Sequence, residues 1–162
     1  MDFLTAIITG IVSGIISSIC FYQMLKNIKP KIKISDFFCM NDSDPYNVVY
    51  QVKFVNFTKK VITKLDYFLE CMTLSEDLIH DIEEIPAACS KLQIIDKYDK
   101  KDVDAKYAAR ISYKIPKSKI EEIKNNDNQK LIFTIVAEDP DSGTTACIKQ
   151  VFEAKYIVSG KH

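Results

Sequence analysis

The segment LIFTIVAEDPDSGTT, residues 131–145, decides the fold class that this sequence predicts. Its first eight residues have the composition of a β-strand, and a strand-like pattern resumes after the polar stretch that follows. Within that stretch, Pro140 presets its own φ angle and Gly143 readily adopts a positive φ, as a tight turn requires. The segment therefore predicts an antiparallel hairpin with a turn at residues 139–143 and a second strand over residues 144–158.

Several short segments upstream of this hairpin also have the apolar pattern of half-buried strands. The predicted strands are residues 31–35, 46–56, 61–72, 91–97 and 107–115. In the third of these strands, one face would carry Val61, Leu65, Tyr67, Leu69 and Cys71. Six or seven strands at such short spacing predict a mainly β fold, namely an antiparallel β-sandwich of the immunoglobulin-like or a similar kind.

Three other segments lack the strand pattern. Residues 75–84 fit either one or two helical turns, with the first residue as the N-cap, or a loop. Residues 98–106 are charged and predict a solvated loop. Residues 118–124 predict a short helix capped by Ser118, with Glu121 in the Glu position of a capping box.

The N-terminal run from residue 3 to residue 25 contains no charged residue. As a helix it would be about 34 Å long, enough to cross a hydrocarbon core of about 30 Å. A buried core helix and a cleaved signal peptide are the alternatives, but Asp2 gives an acidic start and no A-x-A-like site ends the run. We therefore expect a transmembrane helix and a basic juxtamembrane segment over residues 1–29, and a β-sandwich domain over residues 30–162.

The flanks of the run predict its orientation. Its C-terminal side carries Lys26, Lys29, Lys31 and Lys33. By the positive-inside rule, the N-terminus lies outside the cell and the β-sandwich lies in the cytoplasm. The five cysteines are odd in number and scattered, which fits a reducing compartment; they are Cys20, Cys39, Cys71, Cys89 and Cys147. The lysines could also contact anionic lipid headgroups, although a stop-transfer signal alone explains them.

Small residues recur every four positions within the run, and positions four apart drift only about 40° around a helix. One ridge consists of Ala6, Gly10, Gly14 and Ser18, and the neighbouring ridge of Thr5, Thr9, Ser13 and Ser17. In lipid, small residues let helix backbones approach closely, and Gly10-x-x-x-Gly14 is the known pattern for this. The face predicts self-association into a homo-oligomer. As a sharper alternative, the hydroxyl ridge lines a wet path inside that oligomer.

One stretch matches the PD-(D/E)xK nuclease motif: Pro140-Asp141, followed by Glu153 and Lys155. In such a site two carboxylates hold Mg²⁺ and the lysine stabilises charge. If residues 144–158 form one strand, however, the two carboxylates lie roughly 40 Å apart at 3.3 Å per residue. A turn is the simpler role for Pro140 and Asp141, so we expect neither an enzyme nor a bound cofactor or metal.

A zinc or nucleophile site in the middle of the chain has little support. Cys71, His80 and Cys89 are evenly spaced and lack the close pairs of a zinc site. Cys71 and His80 could form a nucleophile pair, but nothing else marks one. The four glycines are too dispersed for a phosphate-binding loop. Core thiols and a surface histidine are the simpler interpretation.

Charge and arginine content bear on ligand binding. The formal net charge is zero, from 22 basic and 22 acidic residues, and Arg110 is the only arginine, so we expect no DNA or RNA partner. Arg110 lies near Tyr107 and Tyr113, and a guanidinium beside aromatic rings suits phosphate or base recognition. The three residues are a hypothetical ligand site; an exposed arginine on a strand is the simpler alternative.

The order of these features resembles that of small bacterial single-pass membrane proteins with a cytoplasmic β domain. The resemblance depends on the single N-terminal span, its lysine stop and short strand and turn patterns: KIKIS at 31–35, VKFVN at 52–56, FTIVA at 133–137, Ser142-Gly143 and IVSG at 157–160. Some such proteins resemble membrane effectors of nucleotide-signalling phage defence. The resemblance implies a cytoplasmic domain that binds a signal, for which a nucleotide is one candidate, and spans that damage the bacterial inner membrane. The alternative is an anchor or scaffold that recruits a cytoplasmic protein.

Overall fold

A computed structural model describes residues 3–41, 48–58, 60–74, 80–88, 92, 94–97 and 108–159 of the chain. One long helix, α1, precedes a domain of eight strands and a short helix, α2. The elements are α1 (Phe3–Ile28), β1 (Ile32–Asn41), β2 (Val49–Asn56), β3 (Lys64–Leu74), β4 (His80–Ile85), β5 (Ala109–Lys114), α2 (Lys117–Asn125), β6 (Gln129–Glu138), β7 (Thr145–Phe152), a 3₁₀ helix (Ala154–Tyr156) and β8 (Ile157–Ser159). The fold is mainly β, as the sequence predicts.

The strands form two four-stranded sheets, in the orders β5-β2-β1-β8 and β4-β3-β6-β7. Among the strands that the structure describes, every pairing is antiparallel except that of β8, which runs parallel to β1. The first, second and fifth strands share one sheet, and the third, sixth and seventh share the other, as strands A, B, E and C, F, G do in immunoglobulin domains. β4 joins β3 instead of β5.

Aromatic rings from both sheets meet in the core between them. The ring centroid of Phe54 on β2 lies 6.3 Å from that of Phe133 on β6, and the ring of Tyr113 on β5 packs edge-on against the Phe133 ring. These side chains are almost fully buried. The two sheets therefore pack face to face as a sandwich.

The predicted hairpin forms between β6 and β7. Gly143 has φ of +66°, in the left-handed region that glycine adopts without steric cost. The turn is closed by backbone hydrogen bonds from the Asp139 N–H to the Thr144 carbonyl and from the Gly143 N–H to the Asp139 carbonyl. On β3, Leu65, Leu69 and Cys71 are buried and Tyr67 is half-buried, whereas Val61 precedes the strand and is exposed.

Two local predictions were wrong, the alternatives for residues 75–84 and the cap at Ser118, whereas the short helix predicted over residues 118–124 is confirmed as part of α2. The helical and loop alternatives for residues 75–84 both fail from His80 onward, where β4 pairs with the end of β3; residues 75–79 lie outside the described part. α2 begins one residue early, because the Pro116 carbonyl accepts the N–H groups of Lys119 and Ile120, and no side chain caps it. Ser118 therefore lies within the first turn and cannot serve as the N-cap.

Two predicted strands are also shorter than expected. Of residues 91–97, the described ones make only isolated bridges, from Ile95 to Ile62 and from Lys97 to Asn56. The predicted strand over residues 144–158 breaks after Phe152, where a 3₁₀ turn redirects the chain to the other sheet as β8. The core explains this change, since Phe152 and Ile157 are both buried on either side of the break.

α1 contains one stretch, Phe3–Leu25, that is long and apolar enough to cross a membrane by its length and composition. None of this stretch is buried against the rest of the chain. The core helix of a soluble protein would be mostly buried, and this helix is not. The apolar side chains of α1 are exposed on every side of the helix from Phe3 to Met24. A helix that is apolar and uncovered on all sides is typical of a membrane span.

Candidate functional site

The small-residue face of α1 is fully exposed, from Ala6 to Ser18. The Thr9 hydroxyl donates to the Thr5 carbonyl at 2.7 Å, and the Ser18 hydroxyl donates to the Gly14 carbonyl at 2.8 Å. These donors are thus satisfied within the helix, which makes their placement in lipid less costly. Apart from the adjacent residues and the backbone of α1 itself, a Cβ atom added at Gly10 or Gly14 would meet no atom within 4 Å. Within a single copy, therefore, nothing requires glycine at either position.

The connection from α1 to the sandwich is short and held by hydrogen bonds. α1 ends at Ile28 and β1 begins at Ile32. The Lys31 carbonyl accepts the Phe57 N–H at 2.7 Å, and the Lys31 N–H donates to the Thr58 hydroxyl at 2.9 Å. Pro30 is buried at this junction. The start of β1 is therefore fixed to the segment that follows β2.

That segment is itself held by Asn56, which is fully buried. Its Oδ1 accepts the Thr58 N–H at 2.8 Å, and its Nδ2 donates to the carbonyls of Lys60 and Ile95, at 2.9 and 3.3 Å. One side chain thus ties the β2–β3 connection to the separate segment at Ile95, close to where α1 joins the domain. These hydrogen bonds hold Lys31, the last residue of the connection, and the segment that follows β2 to the sandwich.

Of the predicted juxtamembrane lysines, Lys29, Lys31 and Lys33 are exposed. The side chain of Lys26 lies outside what the structure describes. Lys31 and Lys33 alternate with the buried residues Ile32 and Ile34, so their side chains project from the outer face of the first sheet. These lysines are accessible to solvent or to lipid headgroups.

The hypothetical site of Arg110, Tyr107 and Tyr113 does not assemble in the described residues. Arg110 and Tyr113 are three positions apart on β5 and so face opposite sides of the sheet. Arg110 is exposed, whereas Tyr113 is 1% exposed and burial raises the pKa of its hydroxyl well above its ordinary value. Tyr113 therefore belongs to the core and offers no ring face to a ligand. Tyr107 lies outside the described residues.

The nuclease motif is divided by a whole strand. Asp141 lies in the β6–β7 turn, where its carboxylate pairs with Lys60. Glu153 follows the far end of β7, where it pairs with Lys155 at 2.8 Å. β7 has eight residues and so spans roughly 26 Å. Asp141 and Glu153 cannot hold one metal ion together at that separation.

The cysteine and histidine constellation also fails to assemble among the described residues. Cys71 is buried on the core side of β3, and burial raises the pKa of its thiol. Cys89 lies outside the described residues, as does the side chain of His80. Within the described ranges, no three His, Cys, Asp or Glu side chains lie close enough to hold a metal ion.

A polar cleft that sequence reasoning missed lies between the end of α2 and the 3₁₀ helix. Its volume is about 380 Å³, and it is lined by Ile123, Asn126, Asp127, Gln129, Lys130, Glu153, Ala154 and Lys155. Two stretches of chain that are more than twenty residues apart form it, and of its lining only Glu153 and Lys155 belong to a stretch that the sequence analysis singled out, the nuclease motif. Only the pairing of β6 with β7 brings them together, so no sequence signal could have found this cleft.

Gln129 forms the wall of this cleft and is 9% exposed. Its Nε2 donates to the Glu122 carboxylate at 2.9 Å, while its Oε1 has no hydrogen-bond partner. An unpaired buried carbonyl oxygen costs about 1–3 kcal/mol. A donor supplied by a ligand, after a small movement of the side chain, would recover part of that cost.

Two cationic side chains face the same cleft. A hydrogen bond from Lys155 lowers the pKa of the Glu153 carboxyl, and the same contact raises the pKa of Lys155, so both are charged at neutral pH. Lys155 also lies 4.8 Å from the centre of the Tyr156 ring, a favourable position for a cation. Lys130 adds a second positive charge that further lowers the pKa of Glu153. The cleft thus carries the positive charges of Lys130 and Lys155 and the negative charges of Glu153 and Asp127, and the unpaired Gln129 oxygen lies at one wall.

No known family model matches this sequence, and no match was found among curated proteins. Three features of the molecule itself bear on its function: the exposed small-residue face of α1, the three-residue connection from α1 to β1 and the cleft beside α2.

Proposed function

We propose that this chain is a membrane-anchored effector or sensor without enzymatic activity. In this proposal α1 crosses the bacterial inner membrane with its N-terminus outside, and the cytoplasmic sandwich binds a signal. The α1 helices of several copies pack through their small-residue faces and perturb the bilayer, in the manner of a phage-defence effector. The observation that carries the proposal is an exposed small-residue face on an apolar helix that joins the sandwich through a three-residue connection, whose last residue, Lys31, is hydrogen-bonded to the sandwich.

The junction supports a link between signal and membrane. Because Lys31 is hydrogen-bonded to Phe57 and Thr58, a shift of the sandwich would move Lys31, three residues beyond the end of α1, with it. A long flexible linker would absorb such a shift. Signal binding could therefore change how neighbouring α1 helices meet.

The cleft beside α2 is the place where we propose that the signal binds. Lys130 and Lys155 suit the phosphate of a nucleotide, because lysine binds phosphate as a point charge. The Gln129 oxygen would accept an N–H group from the same ligand. The cleft lies where β6 begins and β7 ends, while α1 attaches beside the end of β2. Signal and membrane would thus act at opposite ends of the sandwich.

Dye leakage from liposomes tests this proposal. The full chain is reconstituted and leakage is measured with no nucleotide and with linear and cyclic nucleotides in turn. We expect at least one nucleotide to raise leakage, and Lys130→Ala with Lys155→Ala to abolish that response. Lys149→Ala on exposed β7 is the matched control and should respond normally. Absence of leakage under every condition would count heavily against the effector function.

A specific surface favours the second candidate, a scaffold that recruits a cytoplasmic protein. Phe68, Ile82 and Val151 project from the outer face of the second sheet and are 41%, 58% and 41% exposed. Exposed apolar side chains on one sheet face are typical of protein-binding surfaces. If Phe68→Ser prevents cellular function while liposome leakage stays absent for the wild-type chain, the scaffold is the better description.

A further inference from the structure

We infer that the α1-proximal end of the sandwich rests on the membrane surface and binds anionic phospholipid headgroups through lysines from three separate segments. This inference rests on the proposed insertion of α1 in a membrane. It adds an interaction surface that the proposed function does not require.

The short junction places this end of the domain near the bilayer. From Ile28 to Ile32 the chain can extend at most about 14 Å. The membrane-crossing stretch ends at Leu25, so β1 begins within a few residues of the headgroup region. A domain attached so closely cannot move freely away from the membrane.

Strand register shows which segments share that end. Ile32 at the start of β1 pairs with Asn56 at the end of β2, and Lys64 at the start of β3 pairs with Glu138 at the end of β6. The bridge from Asn56 to Lys97 brings a third segment to the same place. The end nearest to α1 therefore consists of the β1 start, the β2–β3 connection, residues 95–97 and the β6–β7 turn.

Lysines from these segments are exposed at this end. They are Lys29, Lys31 and Lys33 from the junction, Lys60 and Lys64 from the β2–β3 connection and the β3 start, and Lys97. Four of these lysines form no ion pair with any residue that the structure describes: Lys29, Lys31, Lys33 and Lys97. Their ammonium groups are free to meet phosphate oxygens.

The carboxylates at the same end are largely engaged. Asp141 pairs with Lys60, and Glu138 pairs with Lys64 at 2.8 Å. Asp139 is buried and accepts hydrogen bonds within its own turn. Asp96 remains exposed. This end therefore has six lysines and four carboxylates among the described residues. Of the four carboxylates, only Asp96 is exposed and has neither a lysine nor a turn partner in the described ranges. The remaining positive charge attracts an anionic surface.

Lysine modification in nanodiscs tests the inference. The full chain is placed in discs of phosphatidylcholine alone or mixed with phosphatidylglycerol, and acetylation of each lysine is followed by mass spectrometry. We expect acetylation of Lys60 and Lys97 to slow several-fold in the anionic discs and to recover in high salt. Lys117 and Lys124 on α2 serve as internal controls and should react equally in both. Equal rates at Lys60 and Lys97 in the two kinds of disc overturn the inference.

A pair of double variants separates lipid contact from a general charge effect. Lys60→Glu with Lys97→Glu should remove the slowing at Lys33 and Lys64 in anionic discs, whereas Lys117→Glu with Lys124→Glu should leave it intact. Circular dichroism checks that both variants fold. Loss of the chain from the discs on alkaline extraction overturns both the insertion of α1 and this inference. Retention without lysine protection overturns this inference alone.

Discussion

Phe38 on β1 and Phe152 on β7 stack with their ring centroids 5.5 Å apart and their planes inclined by 29°. Both side chains are 0% exposed, and they belong to different sheets. Phe38 also stacks on Tyr50 at 5.3 Å, so the contact continues into the first sheet. This pair joins the strand that follows α1 to the strand that leads to the cleft.

Truncation of one ring should therefore destabilise the whole sandwich. We expect Phe152→Ala to lower the free energy of unfolding by about 3–5 kcal/mol, because it removes buried area and leaves a cavity. Urea unfolding in detergent, followed by tyrosine fluorescence, measures this loss, since the chain has eight tyrosines and no tryptophan. Val151→Ala, at the neighbouring position that is 41% exposed, is the control and should cost much less. Equal losses would show that the two sheets do not depend on this contact.

Enlarging the small-residue face of α1 should weaken association without affecting the fold. We expect Gly14→Leu to reduce self-association in a membrane two-hybrid assay several-fold, because the added side chain keeps helix backbones apart. Apart from the adjacent residues and the backbone of α1 itself, no atom of the same copy lies within 4 Å of the new Cβ, so a clash within one copy does not explain a loss of association. Ile15→Leu, on the opposite face, is the control. An unchanged signal for Gly14→Leu would contradict packing through this face.

The β6–β7 turn should make stability depend on acid pH. Burial alone would raise the pKa of the Asp139 carboxyl, but the Ser142 N–H and hydroxyl and the Asp141 N–H donate to it and, with Lys60 nearby, hold the pKa below its usual value. A depressed folded pKa means that ionised Asp139 stabilises the protein above its unfolded pKa of about 3.9, and that this contribution is lost as the pH falls through the folded value.

Asp139→Asn removes that titration. The variant should be less stable than the wild type at neutral pH and should lose less stability between about pH 5 and about pH 3. Unfolding midpoints across this range provide the measurement. Asp66→Asn, at an exposed position of β3, is the control and should follow the wild-type curve. If the Asp139 variant follows the wild-type curve as well, the carboxylate does not stabilise the turn.

The accessible thiol on β7 offers a test of orientation. Cys147 is exposed, whereas Cys39 and Cys71 are buried and burial raises the pKa of the Cys71 thiol. In a Cys89→Ser background, a membrane-impermeant maleimide should label Cys147 in permeabilised cells and leave it unlabelled in intact ones. Cys20 lies within the apolar stretch and should react in neither case. Labelling of intact cells would place the sandwich outside.

Local chemistry alone determined two features of this protein. A helix that is long and apolar enough to cross a membrane needs only a long uncharged run, and residues 3–25 provide it whatever the rest of the chain does. The turn at residues 139–143 likewise follows from Pro140 and Gly143, since the backbone angles that they favour do not depend on distant contacts. The alternation of apolar and polar residues also predicted β3, because one face of this strand is buried along most of its length.

Only the tertiary structure decided the remaining features, because they depend on which distant segments meet. Residues 80–85 have an acidic, mixed pattern and become a strand because the end of β3 offers an open edge. Tyr113 is a core residue because β5 turns that face toward Phe133, which no local pattern could show. The cleft, finally, combines Lys130 with Lys155 through the β6–β7 register. Periodicity reports which side chains share a face, whereas packing between sheets determines what that face meets.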